Sequence, residues 1–240
     1  PLALDSILTG AARTYSAESA ITDSAPAATA LATGHKSNSG YVGVLPSKIT
    51  MPGVEGDEAD AFKPVANVLE GAKLQGKATG IVSTSEIQHA TPAGFSSHVT
   101  SRSNYDDISE QQVYQNMDVV LGGGYNSLKD TRKDGEDLIR VLERHKYDVV
   151  QTREEMLNSS SDKLWGAFAP SALAYDFDRE TTKPEQPTLA EMTEKAIDTL
   201  SKDEDGFFLM VEGSKIDWAA HSNDTIGMIS DFLSFDDAVA

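Results

Sequence analysis

Apolar and polar positions along this chain alternate between helical and strand-like patterns. Pro64–Gln75 (PVANVLEGAKLQ) places its apolar residues at helical spacing, and Lys77–Thr84 (KATGIVST) follows as a buried strand. Met117–Leu121 (MDVVL) reads as a strand running into Gly122-Gly123-Gly124. An amphipathic helix over Gly135–His145 precedes short strands at Tyr147–Gln151 and Leu164–Phe168. Thr188–Ser201 is a helix, with Thr188 and Glu191 forming a capping-box pattern. Gly206–Val211 (GFFLMV) is apolar at consecutive positions, as expected of a strand covered on both faces by helices. Near the start, Ala25–Thr33 reads as an Ala-rich helix with Ser24 as N-cap, Pro26 in the first turn and Gly34 at the stop. Residues 38–60 and 174–187 read as loop, and Tyr105-Asp106-Asp107 as a solvated turn. The alternation predicts an α/β fold, a three-layer sandwich with a mostly parallel central sheet, whose ligands bind at the carboxyl ends of strands.

Composition narrows the classes. The 240 residues carry 38 acidic and 20 basic side chains, a formal net charge of −18, which disfavours nucleic acid and anionic membranes as partners. No apolar run approaches the roughly 18–20 residues of a membrane span. Cysteine is absent, so disulfides and thiolate zinc sites are excluded, and any transition metal must use His and carboxylate ligands.

Three stretches carry candidate chemistry. In Thr22-Asp23-Ser24-Ala25-Pro26, Ser24 sits at a helix start, where the dipole and free N–H groups favour an anion. By itself that is the pattern of an ordinary cap. In Val211-Glu212-Gly213-Ser214-Lys215-Ile216-Asp217-Trp218-Ala219-Ala220-His221, Asp217 and His221 stand at i and i+4, on one face of a helical turn. That pairing is either a surface salt pair or a half-site for Zn2+, and Glu212 at a strand end suits the harder Mg2+. In Ser83–Arg102, Thr91 offers a hydroxyl to Mg2+, and the Arg102 fork matches two phosphate oxygens.

Together the signatures TDSAPAATALATG, VSTSEIQHATPAGFSSHVTSR and FFLMVEGSKIDWAAH, in this order, resemble the alkaline phosphatase family. The resemblance covers roughly residues 15–105 and 115–240 of a single domain fragment, with 150–190 a candidate insertion. It implies hydrolysis of small-molecule phosphate monoesters through a phosphoserine, with two Zn2+ and one Mg2+. It makes Ser24 the nucleophile facing the second zinc, Asp23 the carboxylate that orients the arginine, and Arg102 the phosphate clamp. Thr91 and Glu212 match magnesium ligands, and Asp217 and His221 ligands of the first zinc. It further implies a homodimer in the periplasm or outside the cell. The alternatives are a related phosphodiesterase or sulfatase, or a catalytically inactive relative that binds metal or phosphate.

Two positions depart from the best-known bacterial pattern. His89 stands where some members place Asp in the magnesium shell, which favours Zn2+ over Mg2+ there. Trp218 stands where some carry Lys or His, and looks like the tryptophan-bearing branch that includes marine bacterial enzymes. The family's early Asp-Gly motif and its later Asp-His and His motifs do not occur, so the expectation is an internal fragment incomplete at both ends. His35, His98 and His145 match no ligand position and read as ordinary.

Overall fold

The computed structural model describes residues 1–240 apart from the side chain of Glu58, and in it the chain divides into two compact units. One, mainly helical, comprises Ala11–Lys77 and Gln88–Asn116. The other, built on a sheet, comprises Pro1–Gly10, Ala78–Ile87 and Met117–Ala240.

The helical unit holds α1 (Ser24–Thr33), α2 (Val68–Leu74), α3 (Ala90–Gly94) and α4 (Tyr105–Tyr114). Small residues let α1 and α3 approach closely. A Cβ added at Gly94 would lie 2.6 Å from the Cβ of Ala28, so this position admits no side chain without a shift. Ala25, Val42, Ala90, Ala93, Val99 and Ile108 form the core of this unit. The long segment after α1 remains mostly irregular, as expected, but is stitched down by antiparallel bridges between Val42 and Val99 and between Val44 and Pro64.

Two sequence expectations shift here. The helix anticipated from Pro64 starts only at Val68, because Asn67 and Glu70 form a reciprocal capping box at that point. Tyr105-Asp106-Asp107 is the first turn of α4 rather than a solvated turn. Its two carboxylates sit at the positive end of the helix dipole, which favours the helix.

The sheet unit contains β1 (Ala78–Glu86), β2 (Val119–Gly123), β3 (Asp148–Val150), β4 (Leu164–Ala167) and β5 (Phe207–Glu212). Their order is β3-β4-β2-β1-β5, and every pairing is parallel. Flanking helices are α5 (Tyr125–Leu128), α6 (Leu138–Arg144), α7 (Arg153–Asn158), α8 (Asp176–Thr182), α9 (Leu189–Leu200), α10 (Lys215–His221) and α11 (Thr225–Val239). The α/β architecture with a parallel sheet is the one the alternation predicts. Helix α9 is entered through the Thr188–Glu191 capping box and buries Leu189, Met192, Ala196 and Leu200. These four pack in one core with Val82 of β1 and Val119 and Leu121 of β2. Full burial of each Leu or Met stabilises by about 1.5–3 kcal/mol.

Residues 174–187 are not all loop, since α8 lies within them. Its residues are all at least partly exposed, so no apolar stripe marks it, and its first turn is instead held by Arg179 bonding Asp176. Strand β5 differs in another way. Its unbroken apolar run predicts cover on both faces; among the described residues it stands at one end of the strand order, and Met210 is its buried residue. No helix among the described residues is long and apolar enough to cross a membrane.

Candidate active site

The candidate residues fall into two groups, one in each unit. In the helical unit, Asp23 rather than Ser24 is the N-cap of α1, and Ser24 is the first helical residue. Asp23 makes no capping bond with its side chain. Its carboxylate instead accepts from the Gly40 N–H at 3.2 and 3.3 Å and from Arg102 Nη1 at 3.2 Å. The first amides of α1 are thereby left uncapped by their own N-cap, beside the half-buried Ser24 hydroxyl. That is the arrangement a helix start needs in order to bind an anion.

Arg102 is fixed from several sides. Its own N–H donates to Gly40 O at 2.7 Å, so the Gly40 residue is tied to Arg102 and Asp23 at once. Nη2 lies 3.1 Å from His89 Nε2. A guanidinium only donates, so the lone pair of His89 Nε2 faces it. Metal binding through that nitrogen and this bond to Arg102 are mutually exclusive. Thr91 follows two residues on, within α3. The unit thus brings Asp23, Arg102 and His89 into direct contact around the start of α1.

His98 is more engaged than its sequence implies. Its Nδ1 lies 2.7 Å from Gly43 O and its Nε2 2.8 Å from Glu70 Oε1, while its backbone N–H donates to Gln111 Oε1. These partners stand 55, 28 and 13 positions away in the chain, so no local pattern marks the residue.

In the sheet unit, Glu212 ends β5 opposite Ser83 of β1. Its Oε2 accepts hydrogen bonds from Ser83 Oγ at 2.9 Å and Ser214 Oγ at 2.6 Å. Asp217 and His221 lie one turn apart on α10, with Oδ1 and Nε2 3.5 Å from each other. Their side chains are 62% and 80% exposed, open to an ion from solvent. One carboxylate oxygen and one imidazole nitrogen are the donor types zinc takes, and they would supply two of the three protein ligands a catalytic zinc normally has. Glu212 offers the hard oxygen that Mg2+ takes. The donor chemistry therefore fits both metals, with His89 Nε2 the exception while it faces Arg102.

Next to these, Lys215 is buried on α10, its ammonium 4.4 Å from the ring centres of both Tyr175 and Trp218. Burial pushes its pKa down, against the attraction of Asp231 and Glu86. Asp231 of α11 is also buried, and desolvation raises its carboxyl to about 6, although the Asp176 N–H bonds it.

The family profile for alkaline phosphatase matches residues 1–240. Alkaline phosphatase 3 of Bacillus subtilis is 42% identical over 246 residues, covering 99% of this chain and 49% of that protein. The alkaline phosphatase of Schizosaccharomyces pombe is 37% identical, covering 99% of this chain and 45% of its own length. Among solved structures, the cold-active alkaline phosphatase of a psychrophilic Shewanella superposes with a TM-score of 0.86 at 33% identity. That match covers 100% of this chain and 55% of the Shewanella chain. The chain thus spans about half the length of the curated relatives it matches.

Proposed function

Because this chain belongs to the alkaline phosphatase family, we propose that it carries the nucleophile, the phosphate clamp and part of the metal shell of a metal-dependent phosphomonoesterase. The observation that carries this reading is Arg102, held by Asp23, the residue that precedes Ser24 at the start of α1.

Ser24 attacks phosphorus. Oγ loses its proton to solvent and bonds to phosphorus, the bond from phosphorus to the leaving oxygen breaks and that oxygen takes up a proton from solvent, and water later cleaves the phosphoserine, returning the hydroxyl and releasing phosphate. The uncapped amides of α1 face negative charge in the substrate and in the transition state. Arg102 binds two non-bridging oxygens through its planar fork, and because Nη1 and Nη2 each carry two N–H groups, neither need abandon its protein partner. Asp23 and Gly40 keep that fork in place, which lowers the reorganisation needed when substrate arrives. Zn2+ and Mg2+, when bound, lower the hydroxyl pKa of Ser24 and neutralise oxygens of the transferring group. Asp217 and His221 would hold the first zinc, and Glu212 and Thr91 would each be magnesium ligands, as the resemblance implies. The formal charge of −18 would otherwise repel an anionic substrate, so such a local positive centre is a requirement of the reading.

Two solved variants of the alkaline phosphatase from the Antarctic bacterium TAB5, one with a histidine changed to aspartate and one to glutamate, hold Mg in a site named M3. We take His89 as the corresponding residue here. An extracytoplasmic location and a homodimer rest on the resemblance alone and complete the proposal.

The test is the rate of the zinc- and magnesium-loaded full-length protein on an aryl phosphate monoester, an aryl phosphodiester and an aryl sulfate. The monoester should be hydrolysed fastest. A higher rate on the diester or the sulfate would overturn the reading.

A further inference from the structure

The hydroxyls around Glu212 have no role in the chemistry above. Parallel pairing sets Ser83 of β1 directly beside Glu212 of β5. Ser83 and Ser85 are fully buried and Ser214 is 3% exposed. Ser214 occupies the N-cap of α10, where a serine ordinarily bonds the helix's first amides, yet its side chain makes no capping bond. Its hydroxyl is diverted to Glu212 Oε2 at 2.6 Å and also lies 2.7 Å from Ser83 Oγ. Ser83 in turn lies 2.9 Å from the same carboxylate oxygen and accepts from the Ser85 N–H.

The protons can be assigned. Ser85 Oγ donates to Glu86 O at 2.9 Å, and Ser214 donates to Glu212 Oε2. Ser83 donates to Oε2, to Ser214 Oγ or to Ser85 Oγ, which lies 2.9 Å away. In each case Ser214 occupies Oε2, and no hydrogen bond reaches Oε1 among the described residues. The carboxylate is therefore fixed in rotation, with a single oxygen left to offer.

We propose that Ser83 and Ser214 are positioning residues that pin Glu212 by Oε2 and present Oε1 alone to a magnesium ion. The proposal rests on reading Glu212 as a magnesium ligand. Its consequence is ion choice. Mg2+ demands near-octahedral geometry built from single oxygens, whereas Ca2+ accepts a carboxylate through both. A clamp on Oε2 favours the first and withholds the second oxygen from the other.

The experiment titrates Mg2+ and Ca2+ separately into the zinc-loaded full-length protein by calorimetry. The variants are Ser83→Ala, Ser214→Ala, both together, Ser214→Thr and Glu212→Gln, with urea unfolding of each metal-free form as a check on folding. Loss of residues that hold a metal ligand in place typically costs about 10–100-fold in affinity. The double variant should lose that much for Mg2+ and clearly less for Ca2+, narrowing the preference between them, while Ser214→Thr, which keeps the hydroxyl, retains most of it. If Ser83→Ala does not fold, Ser214→Ala alone carries the test. Unchanged Mg2+ affinity in the serine variants, with a loss in Glu212→Gln, overturns the clamp and leaves the ligand reading standing. Equal losses for the two ions overturn the single-oxygen presentation. Unchanged Mg2+ affinity in Glu212→Gln overturns the ligand reading and the clamp with it.

Discussion

Asp23 turns its carboxylate away from the helix it precedes and onto Arg102, with Oδ2 accepting from Nη1 at 3.2 Å. The two side chains are 34% and 28% exposed, so the pair stabilises the fold by only about 0.2–1 kcal/mol. Its use lies elsewhere. It leaves the start of α1 without a side-chain cap, and it ties a guanidinium to the residue that precedes Ser24.

Arg102→Ala should therefore act on phosphate rather than on folding. Loss of a charged, two-point contact costs about 1.5–3 kcal/mol, or roughly 10–150-fold in affinity. Competitive inhibition by inorganic phosphate should weaken by that factor while the unfolding midpoint barely moves. Asp23→Ala should weaken it less, and should add little in a background that already lacks Arg102. Fully additive losses would show that Asp23 acts independently of Arg102. Unchanged phosphate inhibition in Arg102→Ala would show that the fork points elsewhere.

Ser24→Ala should abolish covalent phosphate. Protein incubated with labelled monoester and quenched in acid would carry label in the parent form and none in the variant. Slow turnover by metal-bound hydroxide is compatible with this result. Undiminished label in the variant would remove Ser24 as nucleophile.

His89→Asp should raise the affinity for Mg2+ and the dependence of activity on it. The lone pair of His89 Nε2 is committed to Arg102, and an aspartate offers a second oxygen as well as a harder donor. The check is a magnesium titration of both forms with metal content measured alongside. An identical response would place His89 outside the magnesium shell.

Much of the molecule is legible in the sequence, and the exceptions share a cause. The alternation of helix and strand patterns gives the parallel sheet because each core strand and α9 bury apolar residues at their own periods. The signature stretches identify the candidate residues because they lie within short contiguous motifs. Helix α8 escapes because none of its residues is buried. Ser83 meets Glu212 across 129 positions, and only the strand register joins them, whereas Ser214 stands two positions from Glu212. His98 is similar, since neither Gly43 nor Glu70 is close to it in sequence. The reassignment of the α1 cap from Ser24 to Asp23 follows from Gly40 and Arg102, which draw the Asp23 carboxylate sideways.

Asp231 gives the sheet unit a pH dependence with a definite sign. The carboxyl is raised from 3.8 to about 6, first by desolvation, with the carboxylates of Asp176 and Asp178 adding to the rise. The Asp176 N–H and the Lys215 ammonium oppose it without prevailing. A carboxyl whose folded pKa lies above its unfolded value contributes its stability below the unfolded value. That contribution is lost as pH rises through the folded one. The window therefore runs from about pH 4 to somewhat above 6, and at about 1.4 kcal/mol per unit the change amounts to about 3 kcal/mol. Asp231→Asn removes the titration while keeping an oxygen to accept from the Asp176 N–H. Urea unfolding of both forms between pH 4 and 8 measures the effect as a difference, which cancels every other group that titrates alike in the two. Parent stability relative to the variant should fall across the window and level off above pH 7. A flat difference from pH 4 to 8 would mean that Asp231 ionises as readily in the folded protein as in the unfolded chain, and that α11 does not bury it.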